Sequence, residues 1–297
     1  MIRFTKMVAT GNDFIMIDNR KNVIRNRAGF ARKYCQRHFS IGADGAIFIE
    51  KQKGKQMSKD RADFCMRIFN PDGSEAEMCG NGARCAAVFA YRRGIVRDRR
   101  LCFQTLAGLI RASVSGFRAM IGMESPSELE LQKYILVKGK KIKVSYINTG
   151  VPHTVLLYRN IDNLDIQQLS PPIRYNRAFP EGTNVDFIQV INSHRIKMRT
   201  YERGVEGETL ACGTGAIASA IVSTLLGYTQ PPVEVLALGG MLRVHFKNTG
   251  NIVEEVRQAI INTRQREQIF IAQKIRDIYL EGEARVVYEG EIADERP

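Results

Sequence analysis

Cys79-Gly80-Asn81-Gly82-Ala83 and Cys212-Gly213-Thr214-Gly215-Ala216 are two copies of one phrase, far apart in a single chain. Each follows an acidic lead-in, Glu75-Ala76-Glu77-Met78 in the first copy and Glu206-Gly207-Glu208-Thr209-Leu210-Ala211 in the second. Each runs into small-residue helical sequence, Ala86-Ala87-Val88-Phe89-Ala90 and Ile217-Ala218-Ser219-Ala220-Ile221. The first turn of a helix leaves four backbone N–H groups without an intrahelical partner. Glycines let a ligand approach those groups, and the helix dipole favours negative charge there. A cysteine at such a place tends towards a depressed pKa and a usable thiolate. Each phrase therefore predicts a sulfur base beside a nest of donors suited to a carboxylate. Two of them predict the two halves of one active site.

Working outward, the chain repeats an order of elements: strands, a turn containing Asn, a strand, a Cys-Gly helix start, more strands. Phe14-Ile15-Met16-Ile17, Ala46-Ile47-Phe48-Ile49 and Phe64 to Phe69 read as strands, with a helix over Ala28 to Arg37 and a polar hairpin tip at Gly54 to Asp60. Asn70-Pro71-Asp72-Gly73 is a strong turn signal. Glu124-Ser125-Pro126 breaks the pattern and sets a boundary between a half at 1–123 and a half at 124–282. In the second half, strands are expected at Tyr134 to Val137, Ile142 to Ile147, His153 to Tyr158, Val185 to Ile191 and Arg195 to Glu202. A short helix at Asp162 to Leu169 is expected to stop at Pro171-Pro172. Thr10-Gly11-Asn12-Asp13-Phe14-Ile15 also echoes Gly182-Thr183-Asn184-Val185-Asp186-Phe187-Ile188. Together these predict an α+β protein of two similar, pseudo-symmetric halves related by duplication. Segment 251–276 differs: Ile252, Val256 and Ile260 form a thin apolar stripe at helical spacing. It reads as a helical insertion before a final strand at Glu283 to Ile292.

Composition narrows the class. The chain has 297 residues, 44% apolar, with a net charge of +13. No apolar run approaches the ~20 residues of a membrane span, and the N-terminus shows no signal-peptide core. A cytoplasmic protein with no membrane partner is expected. The basic charge raises nucleic acid as a partner. It is scattered over several runs, however, with no interleaved aromatics and no Trp. That pattern fits a solvated surface rather than a base-stacking platform. Six cysteines without a Cys-x-x-Cys pair predict neither a disulfide scaffold nor a zinc ribbon.

Three chemistries remain for the paired phrase. Gly213-Thr214-Gly215-Ala216-Ile217-Ala218 matches a dinucleotide fingerprint, with Glu234 at a suitable distance. Such a turn has no use for a preceding cysteine, and the first copy ends in Cys85 instead. A cysteine hydrolase would need an orienting histidine, and of His38, His153, His194 and His245 only His153 sits in a motif-like turn. The third uses both sulfurs on one carbon next to a carboxylate. One thiolate removes a proton and the opposite thiol returns one, while the backbone donors hold the carboxylate that takes up the charge. This inversion requires neither a metal nor an electron-sink cofactor. The duplication favours it.

The residues that carry this reading resemble the diaminopimelate epimerase family over nearly the whole chain. The matching blocks are Lys6-Met7 through Gly11-Asn12-Asp13-Phe14, Phe69-Asn70-Pro71-Asp72-Gly73-Ser74-Glu75 through Cys79 to Cys85, Pro152-His153, Gly182-Thr183-Asn184-Val185, and Tyr201-Glu202-Arg203-Gly204 through Cys212-Gly213-Thr214-Gly215. The resemblance implies a cofactor-independent interconversion of LL- and meso-diaminopimelate, in lysine and peptidoglycan precursor biosynthesis. It implies Cys79 and Cys212 as the two bases, with His153 and Glu202 tuning the thiols. It further implies Gly80, Asn81, Gly213 and Thr214 around the reacting carboxylate and Glu202 on the reacting ammonium. Asn12, Asn70, Asn184 and Arg203 would bind the distal end. The family fold would be two halves, each a mixed sheet wrapped round a central helix, with the active site in the cleft between them. The C-terminal strand, 283–297, would return to the first half. A homodimer is compatible with the family. Two positions depart from its pattern: Val151 stands where many members have Asn, and Gly45 where some have Gln.

Overall fold

The computed structural model describes residues 1–52, 62–248, 254–256, 258, 271, 272 and 274–293. They divide into two compact units. The first comprises the described residues of Met1–Gly122 and Glu281–Pro297, the second those of Met123–Leu280.

In the first unit β1 (Ile2–Ala9) turns at Thr10 and Gly11 into antiparallel β2 (Asn12–Asp18). Helix α1 (Arg27–Tyr34) follows, capped by the Asn26 side chain on the Gly29 N–H, and leads to β3 (Gly45–Glu50), parallel to β2. Antiparallel to β3 runs β4 (Phe64–Phe69), which pairs with the two-residue β5 (Glu75–Ala76). Then come α2 (Gly80–Arg92), β6 (Arg100–Thr105) parallel to β4, and the antiparallel β7 (Gly108–Ser115) and β8 (Arg118–Met123).

The second unit opens with β9 (Glu128–Val137), β10 (Lys140–Asn148) and β11 (Pro152–Leu157), each antiparallel to the one before. Short helices α3 (Ile166–Leu169) and α4 (Pro171–Arg174) lead to β12 (Asn184–Asn192), parallel to β11. β13 (Arg195–Glu202) lies antiparallel to β12 and carries the short β14 (Gly207–Thr209). After α5 (Gly213–Leu225) come β15 (Val233–Ala237), parallel to β13, and β16 (Gly240–Asn248) antiparallel to β15. β17 (Ile275–Glu283) and β18 (Arg285–Ile292) close the chain, and β18 pairs antiparallel with β1, Ile2 opposite Ile292 and Val8 opposite Arg285.

The two units repeat one pairing scheme. β2, β3, β4, β5, β6 and β7 correspond in order and direction to β11, β12, β13, β14, β15 and β16. The connecting helices α2 and α5 each have 13 residues and begin one residue after a cysteine. Each helix packs against several strands of its own unit, and Asn81 through Ala90 and Gly215 through Leu225 are buried throughout. Small side chains at Ala83, Ala86, Ala87 and Ala90, and at Ala216, Ala218 and Ala220, let the strands approach closely. Burial of this kind, rather than intrinsic propensity, stabilises such a helix.

The register corrects several expectations. Asn12 opens β2, whereas Asn184 opens β12, whose counterpart is β3. The echo between the Asn12 and Asn184 stretches therefore joins non-equivalent strands: both are strand entries after a tight turn, and the likeness stops there. The short helix expected over Asp162 to Leu169 is shorter still: α3 begins at Ile166 and ends at Leu169, ahead of Pro171-Pro172. Both prolines occupy the start of α4, where a missing N–H costs nothing. In the stretch 251–276, Glu254–Val256, Gln258, Ile271 and Ala272 are helical and Ile275 already begins β17. Ile252 and Ile260 of the expected stripe, and the hairpin tip at 54–60, lie outside the described residues. No helix among the described residues is long and apolar enough to cross a membrane.

Candidate active site

Cys79 is the N-cap of α2, with an extended backbone (φ −143°, ψ 121°) and a partly exposed side chain. Gly80, Asn81 and Gly82 form the first turn ahead of it. A Cβ on Gly82 would lie 2.9 Å from Ile47 Cδ1 and 3.2 Å from Ile68 Cδ1. Glycine at this position seats the helix start against β3 and β4. Behind it sits Arg84, wholly buried, although the motif offers it no carboxylate. Its Nη2 donates to Asn81 Oδ1 at 2.6 Å and to Thr10 Oγ1, and Nη1 reaches the Gly80 carbonyl at 3.4 Å. Burial pulls this guanidinium down to about 10, with Cys85 and Cys79 acting in the opposite sense. Asn81 in turn donates to Asn12 Oδ1, and Asn12 Nδ2 donates to Asp44 Oδ2 at 3.1 Å. Arg84, Thr10, Asn81, Asn12 and Asp44 thus form one connected network at the Cys79 helix start.

Asn70 lies in the turn that precedes β5. Its carbonyl accepts from Gly73 N–H at 2.9 Å and its side-chain amide donates to Ser74 Oγ at 3.0 Å. The acidic lead-in has a structural task as well: Arg67 Nε donates to Glu75 Oε1 at 2.5 Å, tying β4 to β5. Arg199 Nε does the same to Glu208 Oε1 at 2.6 Å between β13 and β14. The duplicated ion pair holds the strand that delivers each cysteine.

Cys212 is the N-cap of α5, also extended (φ −116°, ψ 119°), and only 7% exposed. Its Sγ lies 3.3 Å from Thr214 Oγ1, and Thr214 Oγ1 lies 2.9 Å from His153 Nε2. His153 Nδ1 lies 2.7 Å from Asp186 Oδ2, both residues being fully buried, and Thr200 Oγ1 donates to Asp186 Oδ1 at 2.6 Å. A Cβ on Gly215 would meet Asp186 Oδ1 at 2.6 Å, so the glycine here admits a carboxylate where Gly82 admits aliphatic side chains. Glu202 accepts from Thr209 Oγ1 at 2.5 Å and acts on the Cys212 thiol through its charge. Its carboxyl is held above the usual range, chiefly by burial, and by Asp186 against the lowering influence of Thr209 and His153.

The expectation of a depressed thiol pKa is not met at Cys212. Burial raises it well above the ordinary thiol value, and Glu202 and Asp186 push the same way. The Thr214 hydroxyl and the Gly215 N–H lower it but do not prevail. Desolvation and two acidic neighbours outweigh the helix start.

Asn184 and Arg203 are held together. Asn184 Nδ2 donates to the Pro152 carbonyl at 2.9 Å, and its Oδ1 accepts the Arg203 backbone N–H at 2.7 Å. Arg203 Nη1 donates to the Glu181 carbonyl at 2.9 Å. In the first unit the structure brings Cys79, Gly80, Asn81 and Asn12 into one cluster, with Asn70 bonded inside its own turn. In the second it brings together Cys212, Thr214, His153 and Glu202, with Asn184 and Arg203 on the adjoining strand ends and Gly213 on the first turn of α5. Sequence reasoning missed Arg84, Thr10 and Asp44 in the first cluster and Asp186 and Thr200 in the second. An ionisable residue within the apolar runs Val185-Asp186-Phe187 and Ala83-Arg84-Cys85 was the available signal. Gly45 is explained by packing, since a Cβ there would lie 2.9 Å from the Phe69 carbonyl oxygen.

Known proteins share the architecture, and others share much of the sequence. A phenazine biosynthesis protein of the PhzF family from Bacillus anthracis superposes with a TM-score of 0.64 at 17% identity, covering 98% of each chain. A probable proline racemase from Agrobacterium radiobacter gives 0.60 at 15% identity over 99% of this chain and 94% of its own. At that identity they establish the fold alone. Relatives named diaminopimelate epimerase are much nearer in sequence. That of Caldanaerobacter subterraneus is 43% identical over 86% of this chain and 97% of its own, and that of Aquifex aeolicus 38% identical over 99% of both. The diaminopimelate epimerase family profile matches residues 4–126 and 145–259, which include both Cys-Gly helix starts. By family profile and by sequence identity over most of its length, the chain belongs to the diaminopimelate epimerase family.

Proposed function

We propose that the chain interconverts LL- and meso-diaminopimelate without a cofactor, by proton transfer between two cysteines and one α-carbon. One observation carries this reading: a member of this family presents a cysteine at the start of an equivalent 13-residue helix in each unit. Cys79 and Cys212 act on opposite faces of the reacting carbon. The thiolate of one takes the α-proton while the thiol of the other delivers its own. One C–H bond breaks as another forms, and the two sulfurs exchange protonation states. The N–H groups of Gly80, Asn81, Gly213 and Thr214 receive the carboxylate, into which the carbanion charge spreads. Glu202 receives the reacting ammonium and, with His153, tunes the thiols. The distal amino-acid end is recognised by Arg203, whose fork suits a carboxylate, together with Asn12, Asn70 and Asn184. The bonds of Asn184 to Pro152 and Arg203 support its acting by fixing that end of the site.

The test is incubation with LL-diaminopimelate under reducing conditions, with the stereoisomers separated by chiral chromatography. Formation of the meso isomer, and none of the D-isomer from L-lysine or L-arginine, is expected. No meso product, or faster racemisation of a single-headed amino acid, overturns the reading.

A further inference from the structure

Asp186 has no part in the proposed chemistry so far, yet it sits at the root of a chain of polar atoms ending on Cys212. It is 0% exposed on β12, opposite Thr200 of β13, and its carboxylate abuts Gly215 of α5. The corresponding position in the first unit is Ile47, which lies against Gly82 as Asp186 lies against Gly215, so the duplication does not account for a charge here. A buried carboxylate without partners is costly. Asp186 has two: Thr200 Oγ1 on one oxygen and His153 Nδ1 on the other.

We propose that Asp186 is a positioning residue that fixes the His153 imidazole, and through Thr214 the direction of the hydrogen bond to Cys212. An ionised carboxylate only accepts. His153 must therefore carry its proton on Nδ1, leaving Nε2 as an acceptor. The Thr214 hydroxyl then donates to Nε2 across 2.9 Å, and its oxygen is left to accept the Cys212 S–H across 3.3 Å. The chain has a second state. If the S–H bond breaks and its proton passes to Thr214 Oγ1 while the Thr214 proton passes to Nε2, the result is a thiolate, an intact hydroxyl and an imidazolium. Atoms and charge balance, and Asp186 faces the cation so formed. Glu202, from β13, is the other carboxyl near this chain; it is held by Thr209 Oγ1 and acts on the sulfur by its charge. Asp186 thus gives the Cys212 proton a place to rest inside the second unit.

This inference rests on the proposed acid–base role of Cys212, and its test separates the two. ¹⁵N NMR of histidine-labelled protein, with His153 assigned by its loss in His153→Gln, reads the tautomer directly. The wild type is expected to show protonated Nδ1 and unprotonated Nε2 at neutral pH. Asp186→Asn presents an amide in place of the acceptor, and Asp186→Leu removes the partner altogether. Both are expected to shift His153 towards the Nε2–H form and to lower kcat by about tenfold or more, with KM changed by less than about threefold. Thr200→Val, which keeps the carboxylate but not its brace, is expected to give the same change on a smaller scale. Unchanged His153 signals in both Asp186 variants, or a wild type with Nε2 protonated, overturn the inference even if the enzyme is fully active. A wild type with the expected tautomer but no epimerase activity overturns the functional reading and leaves Asp186 as a structural brace of His153.

Discussion

Burial decides the state of Cys212 before any substrate arrives. The sulfur is nearly enclosed, and Glu202 and Asp186 stand close enough to oppose its ionisation. A raised thiol pKa means that the neutral form persists through neutral pH and the thiolate grows in only above the ordinary range. Alkylation of Cys212 by iodoacetamide, followed by peptide mapping, is therefore expected to be slow at neutral pH and still rising beyond about pH 9. Labelling that levels off near neutrality would contradict this. Glu202→Gln removes the carboxyl that opposes ionisation of the sulfur most and is expected to speed labelling at neutral pH several-fold. The cysteines themselves were legible in the sequence because a helix-start motif is local. Their pKa was not, because desolvation depends on the strands packed over them, and Asp186 and Glu202 reach Cys212 from two different strands.

At the scale of the element, the surroundings of the fourth position of each phrase explain why the motif keeps a glycine there. Gly82 lies against Ile47 and Ile68, and Gly215 against Asp186. Gly215→Ala would bring a methyl to about 2.6 Å from a buried carboxylate oxygen that already has two partners. Chemical denaturation is expected to show a loss of about 1–3 kcal/mol, and epimerisation should fall as well. A variant as stable and active as the wild type would remove the packing argument. The duplicated ion pairs differ in depth. Arg67 is 35% exposed and bonds Glu75, whereas Arg199 is 14% exposed and also donates to the carbonyls of Ile161 and Leu164, each at 2.9 Å. Arg199→Met should therefore cost about 2–4 kcal/mol, since it strands buried carbonyls as well as a carboxylate. Arg67→Met should cost about 1 kcal/mol or less. Equal losses in the two variants would refute the difference. Strands such as Ile47 and Val185 were legible from apolar runs, as was the turn at Asn70. The correspondence between strands was not. Local sequence likened Asn12 to Asn184, whereas the parallel pairing of β11 with β12 makes Asn184 the counterpart of Gly45 at the start of β3.

For the whole molecule, one pairing scheme used twice yields two helix starts with different surroundings. Arg84, Asn81 and Thr10 surround the first; His153, Asp186 and Glu202 surround the second. A two-base epimerase needs one sulfur protonated and one not, so unlike surroundings suit the task better than identical ones would. The overall two-half α+β plan could be read from the repeated phrase, because duplication writes the same turn and helix signals twice. The divergence between halves could not, since it rests on buried residues distant in sequence from the cysteines. The two-base reading also predicts that Cys79→Ala and Cys212→Ala each lose inversion by about 10³-fold or more, measured by stereoisomer analysis. Near-normal inversion in either variant would exclude it. The most direct measurement follows LL-diaminopimelate in deuterated water by ¹H NMR at early times. The account predicts that the meso product carries deuterium at the inverted α-carbon, while recovered LL substrate retains its protium. Deuterium appearing in recovered substrate as fast as in product, or no α-proton exchange at all, would contradict two thiols acting from opposite faces.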